Sequence, residues 1–99
     1  MATLSIREYN RVAADGSGLT VQAGQEPAIN GQQVSFSASQ QSAAFSDATR
    51  LVRVHSDNDC YLDFGPNPTA AAGGGCFLGS GQVEFFGVRP GDKVAAVVT

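Results

Sequence analysis

The chain has 99 residues, with six Lys and Arg against nine Asp and Glu and a formal net charge of −3. That length predicts one domain, and the sign of the charge excludes a nucleic-acid binder, which needs cations to neutralise phosphate. Hydrophobic residues at 42% with charged residues at 15% exclude a disordered chain, because disorder needs low hydrophobicity and high charge.

Along the chain, period-two alternation dominates and helical periodicity is nearly missing. Leu4 and Ile6 alternate with Ser5 and Arg7, predicting a strand or extended arm over residues 3–11. Asp15-Gly16-Ser17-Gly18 is turn chemistry, followed by a short strand over residues 19–23. Asn30-Gly31 favours a tight hairpin turn. From Gln33 to Ser39, Val34, Phe36 and Ala38 share one face. Residues 43–51 have the only helical flavour, predicting at most a single turn. Thr49 to Ser56 puts Val52 and Val54 on one face, and Leu51, Arg53 and His55 on the other. After the polar turn Ser56-Asp57-Asn58-Asp59, Cys60, Leu62 and Phe64 alternate with Tyr61 and Asp63, predicting a hairpin. Residues 69–75 are too rich in glycine for a regular element. Residues 77–78 and 82–88 are strand-like. Arg89-Pro90-Gly91-Asp92 is a turn, and residues 93–98 form the last strand.

Seven or eight short strands joined by Gly and Pro turns predict an all-β fold, a small antiparallel β-sandwich or jelly-roll-like barrel. The expected core is Val34, Phe36, Val52, Val54, Cys60, Leu62, Phe64, Phe85, Val88, Val94 and Val97. The large apolar residues concentrate in 49–99. Residues 1–20 are therefore expected as an extended arm free to lie on a partner, and residues 21–99 as the sandwich domain. Phe85 and Phe86 are adjacent and point to opposite faces, so one fills the core and the other needs a cover.

Catalytic constellations are weak. His55 is the single imidazole, and its alternation with Val54 predicts an ordinary outward-facing histidine. Asp57 and Asp59 raise a weak ion site, but no glycine or bidentate glutamate completes a calcium loop. The glycines of 73–81 lack the lysine and helix of a phosphate cradle. Cys60 and Cys76 are expected to be small buried apolar side chains. A carbohydrate module is disfavoured by zero Trp and two Tyr. No catalytic, cofactor or metal residue is assigned. No apolar run approaches the ~18 residues of a membrane helix, and no secretory leader is expected, since no basic segment precedes an apolar run.

Phe45-Ser46-Asp47-Ala48-Thr49-Arg50-Leu51-Val52-Arg53-Val54, Cys60-Tyr61-Leu62-Asp63-Phe64-Gly65 and Val83-Glu84-Phe85-Phe86-Gly87-Val88 carry a resemblance, with Asn67-Pro68-Thr69-Ala70 and Pro90-Gly91-Asp92-Lys93-Val94-Ala95. Residues 45–98 resemble small β-sandwich virion proteins of tailed bacteriophages, of the capsid decoration or cement type. The resemblance implies a non-enzymatic role bridging capsomers, with the major capsid protein or further copies of the chain as partners, a trimer among the expected orders. It implies a virion location after synthesis in the bacterial host cytoplasm. A head–tail connector or tail component is the nearest alternative, and a ligand- or glycan-binding sandwich the next. The expected contact residues are Leu4, Ile6, Arg7 and Tyr9 on the arm, Arg50, Arg53 and Arg89 toward acidic patches, and Phe86, with the loop 66–76. Residues 4–9 and 95–98 contain no Pro and read as poorly defended edges, which favours strand addition by a neighbour.

Overall fold

The alternation of Leu4 and Ile6 does form a strand, but in the middle of a sheet. In the computed structural model, which describes residues 2–14, 17 and 20–98, the chain is all-β. The strands among these residues are β1 (Ala2–Tyr9), β2 (Val12–Ala14), β3 (Thr20–Gly24), β4 (Asn30–Phe36), β5 (Gln40–Gln41), β6 (Leu51–Ser56), β7 (Cys60–Gly65), β8 (Cys76–Leu78), β9 (Val83–Gly87) and β10 (Lys93–Val98). They build two antiparallel four-stranded sheets, β4-β1-β6-β9 and β5-β10-β7-β8, with β2 and β3 as a separate hairpin. The inner faces meet in one core. Leu4, Ile6, Val34, Phe36, Val52 and Val54 come from the first sheet, and Cys60, Leu62, Leu78, Val94 and Ala96 from the second.

The expected arm is thus a central strand: β1 pairs with β4 on one side and β6 on the other. Leu4 and Ile6 are buried because core packing across three strands removes more apolar surface from water than any arm would. Likewise β10 lies between β5 and β7, so neither expected open edge is an edge. The first half of the chain therefore supplies nearly half of the buried core, through Ala2, Leu4, Ile6, Val34, Phe36 and Phe45. Asp15, Gly16, Gly18 and Leu19 of the expected turn and strand lie outside the described residues.

Residues 51–65 do not fold as a hairpin. β6 belongs to one sheet and β7 to the other, so residues 57–59 are a corner crossing between layers. Period-two patterns look alike in both cases, since either arrangement points Val54 and Leu62 into the same core. The corner is stitched to its surroundings. Thr3 N–H donates to Asp57 Oδ1 at 2.8 Å, Ser80 N–H to Asp59 Oδ1 at 2.7 Å, and Gly81 N–H to the Ser56 carbonyl at 2.8 Å.

Two further expectations are corrected. Asn30 and Gly31 begin β4 rather than make a turn, because they pair with Glu8 and Arg7. Residues 43–51 hold the single turn expected of them. Thr49 N–H closes a turn on the Ser46 carbonyl, and Phe45 plugs the end of the sandwich. Val97 faces outward and Val98 packs on the core, since only residues at even spacing from Val94 share its face.

Candidate functional site: an open arginine-bearing sheet face

The two broad faces of the sandwich differ in cover. Over the second sheet, the chain folds back on itself. Gln41 Nε2 donates to Asn67 Oδ1 at 2.9 Å and to the Pro68 carbonyl at 2.8 Å, and Ala70 N–H donates to Ser39 Oγ at 3.0 Å. Pro68, Ala70 and the outward-pointing Ala95 are buried as a result. The first half of the loop 66–76 is therefore occupied within the fold, leaving residues 71–76 exposed. Gly75 is required where the loop passes β7, since a Cβ there would collide with the Leu62 carbonyl oxygen and its φ is +70°.

The outer face of the first sheet is covered only at one end. There Tyr9 is fully buried beneath the β2–β3 hairpin, with its ring filling the space a Cβ on Gly24 would need. Its hydroxyl donates to Glu26 Oε2 at 2.7 Å, and Arg7 reaches Glu26 Oε1 at 3.3 Å. The Tyr9 hydroxyl, then Arg7, hold the Glu26 carboxyl below its ordinary range. Beyond the hairpin the face is open. Arg7 sits directly opposite Arg53, Ser5 opposite His55, and Phe85 and Val83 continue these two rows on β9.

The expected contact residues thus separate. Arg7 and Arg53 are brought together in register on the open face. Arg50 and Arg89 are exposed at one end of the molecule, beside a groove of about 580 Å³ that they share with Phe64 and Asp92. Leu4, Ile6 and Tyr9 are inside the fold and present no surface. Phe85 and Phe86 are exchanged relative to expectation. Val52 pairs with Phe86, so Phe86 turns inward and meets the Phe64 ring at 4.8 Å, whereas Phe85 lies outward against Tyr9 at 6.0 Å and is 37% exposed.

One buried polar cluster escaped the sequence reading. Glu8 follows Leu4 and Ile6 on the inner face and is fully buried. Its Oε1 accepts from Thr49 Oγ1 at 2.8 Å and Ser46 N–H at 2.9 Å. Its Oε2 accepts from Asn30 Nδ2 at 2.8 Å and Gln32 Nε2 at 3.3 Å. A buried carboxylate is tolerated only when its lone pairs are satisfied, and here both oxygens are. The signal was available: a charged residue in phase with an apolar stripe needs partners.

The other chemistry-bearing groups are apart. Asp57 and Asp59 each bond a backbone amide, and among the described residues no three His, Cys, Asp or Glu gather as metal ligands. Both cysteines are free thiols. Cys60 is buried, donates to the Leu78 carbonyl at 3.7 Å, and has its thiol pushed up by burial. Cys76 is exposed, contrary to expectation, because β8 is a three-residue edge strand. No helix of the described residues is long and apolar enough to cross a membrane.

The fold is a small antiparallel β-sandwich whose first sheet is open beyond the hairpin and whose second sheet is covered over Ala95 but shows the Tyr61–Phe77 pair at its β8 edge. No family model matches the chain, and no curated protein or solved structure matches it either.

Proposed function

We propose that the protein is a non-enzymatic structural component of a tailed-phage particle, a capsid decoration or cement protein that docks on coat subunits through the outer face of its first sheet. The strand segments of residues 45–98 that resemble such virion proteins support this reading. The observation that carries it is the Arg7–Arg53 pair. Like charges directly opposite on neighbouring strands cost stability, and the Arg7 side chain stays 51% exposed beside Glu26. Arg7 pairs with Glu26 inside the fold, but no ion pair is seen for Arg53 among the described residues, and the two cations together suit an acidic patch on a coat subunit. On the opposite face the chain's own loop covers Ala95, while the row Val97, Tyr61 and Phe77 stays partly open and carries no cation to pair with an acidic patch. In this role the protein bridges neighbouring capsomers, adds contact area and remains with the virion after synthesis in the host cytoplasm.

The test is co-sedimentation of the purified chain with phage capsids that lack it. Arg53→Glu, with its circular dichroism unchanged, is expected to lower capsid occupancy by tenfold or more, on the scale of about 1.4 kcal/mol per decade. Arg89→Glu, at the far groove, is expected to bind as the parent. Undiminished occupancy by Arg53→Glu rejects this face as the docking surface.

A further inference from the structure

The two edges of the first sheet are unlike each other. β4 carries Asn30, Gly31, Gln32, Gln33 and Ser35, whereas β9 carries Val83, Glu84, Phe85 and Phe86. Natural edge strands are blunted by a bulge, Pro or inward charge. β9 pairs with β6 in unbroken register and has no Pro; its one charge, Glu84, is in phase with the inward Phe86, and Val83 and Phe85 are 39% and 37% exposed. Along it runs an open groove of about 750 Å³, flanked by Val12, Arg11, Arg50 and Glu84.

Hydrogen-bond parity fixes what this edge offers. Gly81 N–H donates to the Ser56 carbonyl and Val88 N–H to the Arg50 carbonyl, so the even-numbered residues of β6 bond toward β9. In an antiparallel ladder successive residues alternate sides. Glu84 and Phe86 therefore spend their backbone groups on β6, and Val83, Phe85 and Gly87 turn theirs outward.

We infer that β9 pairs antiparallel with β9 of a second copy about a two-fold axis at Phe85, joining two four-stranded sheets into one continuous sheet. Outward groups at positions 83, 85 and 87 are symmetric about Phe85. In this register Phe85 faces Phe85 of the second copy and Val83 faces Gly87, each pair exchanging both bonds. Charge selects the same register. Moving the axis to Glu84 sets two carboxylates directly opposite, which is unfavourable. Moving it to Phe86 leaves Val83 unpaired. With the axis at Phe85, Glu84 lies across from Phe86 of the second copy, two positions from Val88, whose N–H bonds the Arg50 carbonyl, and the two-fold repeats that arrangement. A groove with an acid near one end and arginines near the other is complementary to itself, which is what an isologous interface requires.

Five residues of strand fall short of the roughly 800 Å² per partner of a standard interface, so the dimer is expected to depend on concentration. It stands whether or not the chain sits on a virion. Sedimentation equilibrium of the full chain should fit a monomer–dimer scheme, and backbone amide exchange of Phe85, Val83 and Gly87 should slow as concentration rises. Phe85→Lys puts like charges across the axis and should leave a monomer. Glu84→Lys should weaken association at least tenfold with the fold retained. A chain that stays monomeric at every concentration overturns the inference. So does a trimer, a dimer indifferent to both substitutions, or protection that appears on β4 instead of β9.

Discussion

Glu8 shows how one residue can tie distant pieces of a small fold together. Its carboxylate links β1 to β4 through Asn30 and Gln32, and to the loop before β6 through Ser46 and Thr49. Gln32 extends the tie, accepting from Ala43 N–H at 3.0 Å. Glu8→Gln keeps the shape but turns one acceptor into a donor that must face another donor, whether hydroxyl, backbone N–H or amide. A buried group left without its partner costs roughly 1–3 kcal/mol, so urea denaturation should show a loss of about 2–3 kcal/mol. Unchanged stability would mean that the cluster rearranges freely. A Thr49→Val substitution, which removes a single donor of similar shape, is the gentler comparison.

At the scale of elements, the β2–β3 hairpin is held by a few identifiable contacts. Gly24 lets it approach the Tyr9 ring, and Gly24→Ala would bring a methyl group into that buried ring. Overpacking of this kind costs about 1–3 kcal/mol, and the expected readout is a lower thermal midpoint together with faster amide exchange in residues 20–24. The hairpin is also tied by Glu26, whose carboxyl is held low by the Tyr9 hydroxyl first and Arg7 next. A carboxylate whose folded value is depressed adds stability above its unfolded value and loses it as pH falls through the folded one. Acidification below the usual carboxylate range should therefore loosen the Tyr9 environment, seen in the near-ultraviolet spectrum, and Glu26→Gln should flatten that response. The longer strands were legible in period-two alternation, though the short β2 and β5 were not; the turn at residues 89–92 and the inward set Val34, Phe36, Val52, Val54, Cys60 and Leu62 were legible too. Pairing was not legible. Alternation states which face a residue takes but not which strand lies beside it, so the corner at residues 57–59 read as a hairpin and the central β1 as an arm. Arg7 and Arg53 were visible as candidates, while their juxtaposition depends on the β1–β6 register, and the exchange of Phe85 and Phe86 depends on that of β6 and β9.

Over the whole molecule, three surfaces have separate tasks. The second sheet is covered over Ala95 by residues 66–70, while Phe77 stays exposed beside Tyr61. The first sheet is closed only over Tyr9, leaving Arg7, Arg53 and His55 in the open rows of its outer face. The pairing proposed for the β9 edge would add a route by which copies join side by side. A sparse charge of six cations and nine acids thus becomes a patterned one, since two of the cations face each other on one uncovered sheet. A cement protein uses such a surface repeatedly over a shell, so its number per particle follows the symmetry of the coat. For the proposed virion role, quantitative mass spectrometry of purified particles of a tailed phage carrying the coding sequence is the most direct measurement. The account predicts on the order of hundreds of copies per particle, set by the symmetry of the coat lattice. About a dozen copies would place the protein at the neck or tail, and its absence from purified particles would contradict the structural role itself.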